Sequence, residues 1–164
     1  MKVLLVVYSY HHNNTEKIAN VFASVLDAKM KTPQQTSAQE LQEYSLVGFG
    51  SGIDSGKHYK ELLNFVDILP PGSNKKTFVF STFGAPINLL SRDKEKYEEA
   101  ITKNHSALKE KLQLKGYMIT GEFSCGGFNT NSFLKFFGGI NKGRPNADDL
   151  KNAEEFALKL KQSL

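Results

Sequence analysis

The chain has 164 residues, 40% of them hydrophobic, with no linker-like or low-complexity stretch, which fits one compact domain over residues 1–164 with a sizeable core. Its single cysteine, Cys125, excludes an internal disulfide and any multi-cysteine metal site, and makes a reducing cytoplasm the expected compartment. The net charge of +4 is diffuse, lysines lying among glutamates as on solvated helix faces, so neither a nucleic-acid partner nor membrane insertion is expected.

Val3 to Tyr8 reads as the first strand. Val3 to Val7 is apolar at every position, as in a central parallel strand buried on both faces. The run is too short for a signal peptide, and it is followed at once by Tyr-Ser-Tyr-His-His-Asn-Asn. A helix is expected from Asn14 to Ala28, with Ile18, Val21, Phe22 and Val25 on one face. Between them lie Ser9, Tyr10, His11, His12, Asn13, Asn14 and Thr15. This loop has no carboxylate, offers hydroxyls at Ser9 and Thr15 and amides at Asn13 and Asn14, and meets the free N–H groups of a first helical turn. That is the make-up of a phosphate cradle, the alternative being a plain N-cap at Asn14 or Thr15, which needs only one such residue. A helix dipole contributes about 0.3 to 1 kcal/mol toward one negative charge, so hydrogen bonds would supply most of the affinity.

A short second strand near Ala28 to Lys31 leads through polar residues to a third, Tyr44 to Gly50, and then to a glycine-rich loop, Gly50 to Gly56. The second helix is expected from about Lys57 to Leu69, stopped by Pro70-Pro71-Gly72. Lys76 to Ser81 is the fourth strand, followed by a loop from Thr82 to Pro86. A long helix from Arg92 to Leu114 then turns Tyr97, Ile101, Leu108 and Leu112 inward. Tyr117 to Phe123 is the fifth strand, and a last helix, about Asn146 to Leu164, buries Leu150, Ala153, Phe156, Ala157 and Leu160. Strands alternating with helices mean a parallel sheet covered on both faces.

Loops after the first, third, fourth and fifth strands emerge at one carboxyl edge and would meet on one ligand. Small residues at Gly50, Ser51, Gly52, Gly84, Gly126 and Gly127 would let backbone approach a flat ring, with Phe83, Phe128, Tyr59 and His58 to flank it. Two nucleotide motifs do not fit. A Walker-type loop would need glycine at Ser51 and a hydroxyl at His58; Gly50-Ser51-Gly52 with Gly56 follows the third strand, where a dinucleotide fingerprint follows the first.

Over nearly its whole length the sequence resembles the flavodoxin-like family. Tyr8-Ser9 through Asn14-Thr15 resembles the phosphate loop, and Tyr44 through Ile53 the third strand with its flavin-contacting loop. Ser81-Thr82-Phe83-Gly84 and Gly121 through Phe128 resemble the later flavin-side loops, and Gly143 through Leu150 the entry to the last helix. The resemblance implies an open doubly wound α/β sheet of five parallel strands, order 2-1-3-4-5, with helices on both faces. It implies flavin mononucleotide (FMN) as cofactor, with its phosphate at Ser9 to Thr15 and its ring near Gly52, Ile53, Asp54, Ser81, Thr82, Phe83, Gly84, Cys125 and Phe128.

The chain also departs from the family pattern. Asn13 stands where many relatives have glycine, and asparagine tolerates a left-handed backbone. Tyr10, His11 and His12 replace smaller hydroxyl residues and either bond phosphate or line the rim. Ile53-Asp54-Ser55 occupies a stretch where relatives often place a ring against the flavin, so that stacking partner is expected to be absent. Asp54 either points into water or disfavours an anionic reduced ring. Cys125 reads as a small apolar residue packed beneath the flavin, because nothing adjacent in sequence marks it as reactive. His58 and His105 read as structural or solvent-facing, and no metal is assigned.

Thr130 to Asn146 is long for a strand-to-helix connection, which usually takes about 2 to 6 residues. Phe133, Leu134, Phe136 and Phe137 call for burial. The segment is either a short helix capping the sheet, with at least two of its three phenylalanines in the core, or a lid or docking surface near the flavin.

The family resemblance thus implies an electron carrier holding one or two electrons on FMN and exchanging them with a redox partner protein or a small-molecule acceptor. Absence of an evident acid–base pair favours it. The basic charge, unusual for dedicated flavodoxin shuttles, supports an alternative: an FMN-dependent NAD(P)H reductase acting on a quinone or similar acceptor. A non-catalytic binding or regulatory domain is the third reading.

Overall fold

The computed structural model describes residues 2–86 and 93–163, with only the backbone of residues 132 and 133; the expected helix start at Arg92 lies outside them. The N-terminal apolar run forms β1 (Val3–Tyr8), buried from Val3 through Val7. There follow α1 (Asn14–Leu26), β2 (Ala28–Lys31), β3 (Leu46–Asp54), β4 (Lys57–His58), α2 (Lys60–Asp67) and β5 (Lys76–Phe83). The chain continues through α3 (Lys94–Leu114), β6 (Met118–Gly126) and α4 (Ala147–Gln162). Among the described residues no helix is long and apolar enough to cross a membrane.

The parallel strands lie in the order β2-β1-β3-β5-β6, with β4 paired antiparallel to β3 off this path. Without β4, this is the order 2-1-3-4-5 that the family resemblance implied. The order reverses beside β1, and such a switch point opens a crevice at the carboxyl ends of the strands.

Alternation along the strands separates two cores. Leu4, Val6, Val47, Phe49 and Val79 meet Leu62 and Val66 of α2 and Leu108 and Leu112 of α3. Leu5, Val7, Phe78 and Phe80 meet Ile18 and Phe22 of α1 and Ala153, Ala157 and Leu160 of α4. Phe22 stands edge-on to Phe78, Phe80 and Phe123 at centroid distances of 5.6, 5.0 and 5.5 Å. Those rings need space that β3 provides: a Cβ on Gly48 would lie 2.5 Å from Phe78, and one on Gly50 would lie 2.1 Å from Phe80. Gly50 therefore serves core packing, not the approach to a ligand expected of it.

The expected loop from Gly50 to Gly56 is mostly strand. β3 continues to Asp54, and Ser55 and Gly56, with φ of 51° and 79°, form a two-residue hairpin turn that pairs Ile53 with His58 and Asp54 with Lys57. That pairing takes Lys57 to Tyr59 out of the expected helix, so α2 begins at Lys60; it ends at Asp67, short of the expected Leu69. β5 and β6 also outlast their expected ends, reaching Phe83 and Gly126. In α3, Tyr97 and Ile101 are half-buried, and His105 joins Leu108 and Leu112 inside. Val21 and Val25 in α1, and Leu150 and Phe156 in α4, are half-buried. Asn146 and Asp149 start α4 with a reciprocal capping box, and Arg144 donates to Asp149 at 2.7 Å.

The expected burial does not hold for Phe136 and Phe137, Leu134 is half-buried, and the Phe133 side chain lies outside the described residues. Residues Ser132–Phe137 form a 3-10 helix that leaves Phe136 77% and Phe137 81% exposed. Gly138, at φ 77°, reverses the chain so that Ile140 bridges back to Asn129. The segment closes on its own base as an excursion from the sheet, with both rings largely exposed.

Candidate functional site

At the end of β1 the chain bends sharply, with His12 and Asn13 at φ of 55° and 51°. Asn13 adopts the left-handed form expected of it, and His12 does so as well. The bend brings the start of α1 under the loop: the Glu16 N–H donates to Ser9 Oγ at 3.2 Å, and the Asn14 N–H reaches His11 O at 3.5 Å. Asn14 Nδ2 donates to Phe128 O at 2.8 Å, and the hydroxyls of Thr15 and Thr82 share a bond of 2.8 Å. The first loop is thereby tied to the ends of both β5 and β6. Asn14 Oδ1 is buried and has no partner among the described residues.

Of the two adjacent histidines, His11 lines the rim, and both hold one residue. His11 Nε2 accepts from the Thr130 N–H at 3.3 Å, and Thr130 Oγ1 lies 2.8 Å from His12 Nε2 and 3.2 Å from His11 Nε2. The His12 ring rests on Phe128 with centroids 4.6 Å apart. Burial, and secondarily the neighbouring His12, lowers the pKa of His11, consistent with its acceptor role toward Thr130.

These ties enclose an open cleft with about 390 Å³ of free space. Of the residues expected at a cofactor, Ser9, Tyr10, His11, Asn14 and Thr15 line it from the first loop, Gly52 and Ile53 from β3. Thr82, Phe83 and Gly84 line it after β5, and Phe128 after β6. His12 and Asn13 stand behind this wall, and Asp54 lies in the hairpin beside a separate concavity. Ser81 and Cys125 are buried beneath it; burial pushes the Cys125 thiol up, well out of the reactive range.

Tyr59 is a candidate flank of the ring, though not among the expected cofactor contacts. It lines the cleft, and a Cβ on Gly52 would lie 2.8 Å from its ring. The aromatic wall missing from Ile53-Asp54-Ser55 is thus supplied after the hairpin turn. Gly127, expected near a flat ring, also lines the cleft, as do Asn129 and Asn131, which were not anticipated. Asn129 donates to Gly84 O at 3.4 Å and accepts from the Asn131 N–H at 2.8 Å.

Beneath Tyr59 lies a buried polar layer. Ser51 Oγ donates to Gly52 O at 2.7 Å, so it accepts from the Tyr59 N–H at 3.2 Å and from His58 Nδ1–H at 2.8 Å. That accounting puts the His58 proton on Nδ1 and leaves Nε2 an acceptor, buried and without a partner among the described residues. Burial, and then His105 at a ring distance of 5.1 Å, holds the His58 pKa well below the ordinary imidazole value. His105 Nδ1 meets Glu122 at 3.1 Å and its Nε2 meets Ser81 Oγ at 2.8 Å. The hydrogen bond from His105, with Lys109 behind it, holds the Glu122 carboxyl below its usual range. Ser81, His105 and Glu122 have the order of a hydrolytic triad, but the Ser81 hydroxyl is fully buried and reaches no substrate. Both histidines are structural.

Hydroxyls and first-turn N–H groups suit an anion, and the gap between Tyr59, Phe83 and Phe128 suits a flat ring. Among the described residues no group of three or more His, Cys, Asp or Glu side chains converges as a metal site.

A family model described as Flavodoxin domain matches residues 5–158. An uncharacterized protein of Methanocaldococcus jannaschii is 44% identical over 157 residues, 96% of each chain. Oxidised flavodoxin 2 from Bacillus cereus superposes with a TM-score of 0.69 at 16% identity, covering 100% of both chains. Rubredoxin oxygen:oxidoreductase from Desulfovibrio gigas gives 0.67 at 15% identity, with 99% of this chain covering 35% of that one. At these identities the solved structures speak to the fold alone, whereas the family match runs almost from end to end. The chain belongs to the flavodoxin domain family.

Proposed function

We propose that this protein is an electron carrier that binds FMN in the cleft and exchanges electrons with a redox partner protein or a small-molecule acceptor. The observation that carries the reading is the stitching of Asn14 and Thr15 to Phe128 and Thr82, which joins an anion-binding helix start to a ring-lined slot. The residues fit the cofactor: Ser9, Thr15 and the first-turn N–H groups of α1 would hold its phosphate. Gly52 and Gly84 make room for the Tyr59 ring and the Asn129 side chain in the cleft wall, and Tyr59, Phe83 and Phe128 would exclude water from a planar group there. Bound FMN would supply reversible one- or two-electron chemistry; the protein binds it, orients it and sets its surroundings. Membership of the flavodoxin domain family supports the same direction.

FMN is expected to bind more tightly than its adenine dinucleotide counterpart, because the cradle closed by α1 suits a terminal phosphate dianion. Flavin fluorescence quenching tests this, and equal affinity for the two flavins overturns it. The second reading, an NAD(P)H-dependent reductase, is favoured by the separate concavity beside the cleft, which offers space for a second reactant. Rapid bleaching of the bound flavin by NADH or NADPH alone would put the reductase first.

A further inference from the structure

We propose that the concavity beside the cleft binds a small aromatic molecule carrying an N–H or O–H donor, of the carboxamide or phenol class. It holds about 1120 Å³ of free space, open to solvent. Tyr10 and Tyr59 line both this concavity and the cleft, so those two side chains form the partition between them. Tyr8 completes an aromatic wall, its ring 5.5 Å from that of Tyr59 and tilted by 59°. Faces and edges of this kind accept a planar ring.

The donor requirement comes from the opposite wall. Glu61 Oε2, in the first turn of α2, is buried without a partner among the described residues, and Glu61 lines the concavity. A buried carboxylate oxygen without a donor is costly, and a ligand N–H or O–H would relieve it. His58 lines the same space and carries the unpartnered acceptor Nε2, so both unpartnered atoms in this wall ask for a donor. Burial, the Glu61 charge and a hydrogen bond toward that carboxylate raise the Tyr8 pKa, so the Tyr8 hydroxyl keeps its proton and directs it at Glu61. Lys57 and Lys60 add cationic groups to the lining, suited to an anionic extension of such a ligand. A ring without a donor would leave the Glu61 oxygen unsatisfied, so the site discriminates a hydroquinone or nicotinamide from an equally flat molecule lacking one. Binding stands on this geometry alone; service as the seat of an electron-exchanging reactant rests on the proposed function of the cleft.

Nicotinamide and hydroquinone are the probes for the two donor classes, with 1,4-dimethoxybenzene as the donor-free control. Each is titrated into the full-length chain, with and without FMN, following amide NMR shifts of residues 57–61. Saturable shifts from at least one donor probe are expected, with the control at least roughly tenfold weaker. Which probe saturates identifies carboxamide or phenol as the preferred donor. Glu61→Gln should weaken the response by roughly tenfold. Tyr10→Ala, at a side chain that is 74% exposed and safe for folding, should weaken it as well. FMN should leave the probe in place. Absence of saturation, equal binding of the control, unchanged affinity in both variants, or displacement by FMN would each overturn the proposal. Saturation by a donor probe in a chain that fails to bind FMN would sustain this site and sink the reading of the cleft.

Discussion

Thr15 and Thr82, at the start of α1 and near the end of β5, join their hydroxyls across 2.8 Å in a buried bond between the cradle and the ring-side loop. Thr15→Val keeps the shape and removes one hydroxyl. A lost hydrogen bond to a charged group costs about 1.5 to 3 kcal/mol, so FMN affinity should fall roughly ten- to a hundredfold. Quenching titrations on the folded variant measure it, and undiminished affinity would show that the loop holds no phosphate.

The exposed rings of Phe136 and Phe137 reverse the expectation placed on them. Phe136→Ser should change stability by no more than about 0.5 kcal/mol, as surface substitutions do. Phe22→Ala, inside the α1 core, should cost about 3 to 5 kcal/mol. Urea denaturation of the two variants side by side is the check, and a loss of several kcal/mol in the first would restore the capping account.

Folding holds His58 neutral, with its pKa well below the ordinary 6.5, whereas the unfolded chain protonates it near that value. The unfolded state therefore binds more protons. Stability from this source is complete above about pH 6.5 and falls as the pH drops toward the depressed folded value. His11, shifted in the same direction, adds to the slope. His58→Asn keeps a donor toward Ser51 and cannot titrate, so the loss of stability between about pH 7 and 5 should shrink. An unchanged slope in urea unfolding would argue that His58 is not the titrating group.

Gly50→Ala should destabilise the protein by about 1 to 3 kcal/mol, because the new methyl meets the Phe80 ring at 2.1 Å. The effect belongs to packing, so the same variant should show FMN affinity close to that of the parent once folded. A selective loss of FMN binding with normal melting would return Gly50 to the ligand.

What could be read in advance depended on whether the deciding contact was local. β1 and the loop from Ser9 to Thr15 were legible because an all-apolar run and a carboxylate-free polar loop constrain themselves. The hairpin was not, since Ser55-Gly56 looks the same in a flexible loop as in a tight turn until Lys57 pairs with Asp54. Tyr59 reaches the cleft only through that pairing. His105 occupies a core position of α3 because Ser81 and Glu122, on two different strands, satisfy both its nitrogens. Helical spacing carries no trace of such partners. Phe136 and Phe137 failed for a related reason: crowding of rings in sequence does not say where the chain's path carries them, and here both are largely exposed.

The Tyr59 amide is engaged by the Ser51 hydroxyl, itself fixed by Gly52 and His58, although the Tyr59 ring borders the cleft. Deuterium can replace that amide proton when its bond to Ser51 opens. Exchange at this one position therefore clocks the opening of the cleft wall, in the free protein as well as in any complex, without a spectroscopic label or a turnover assay.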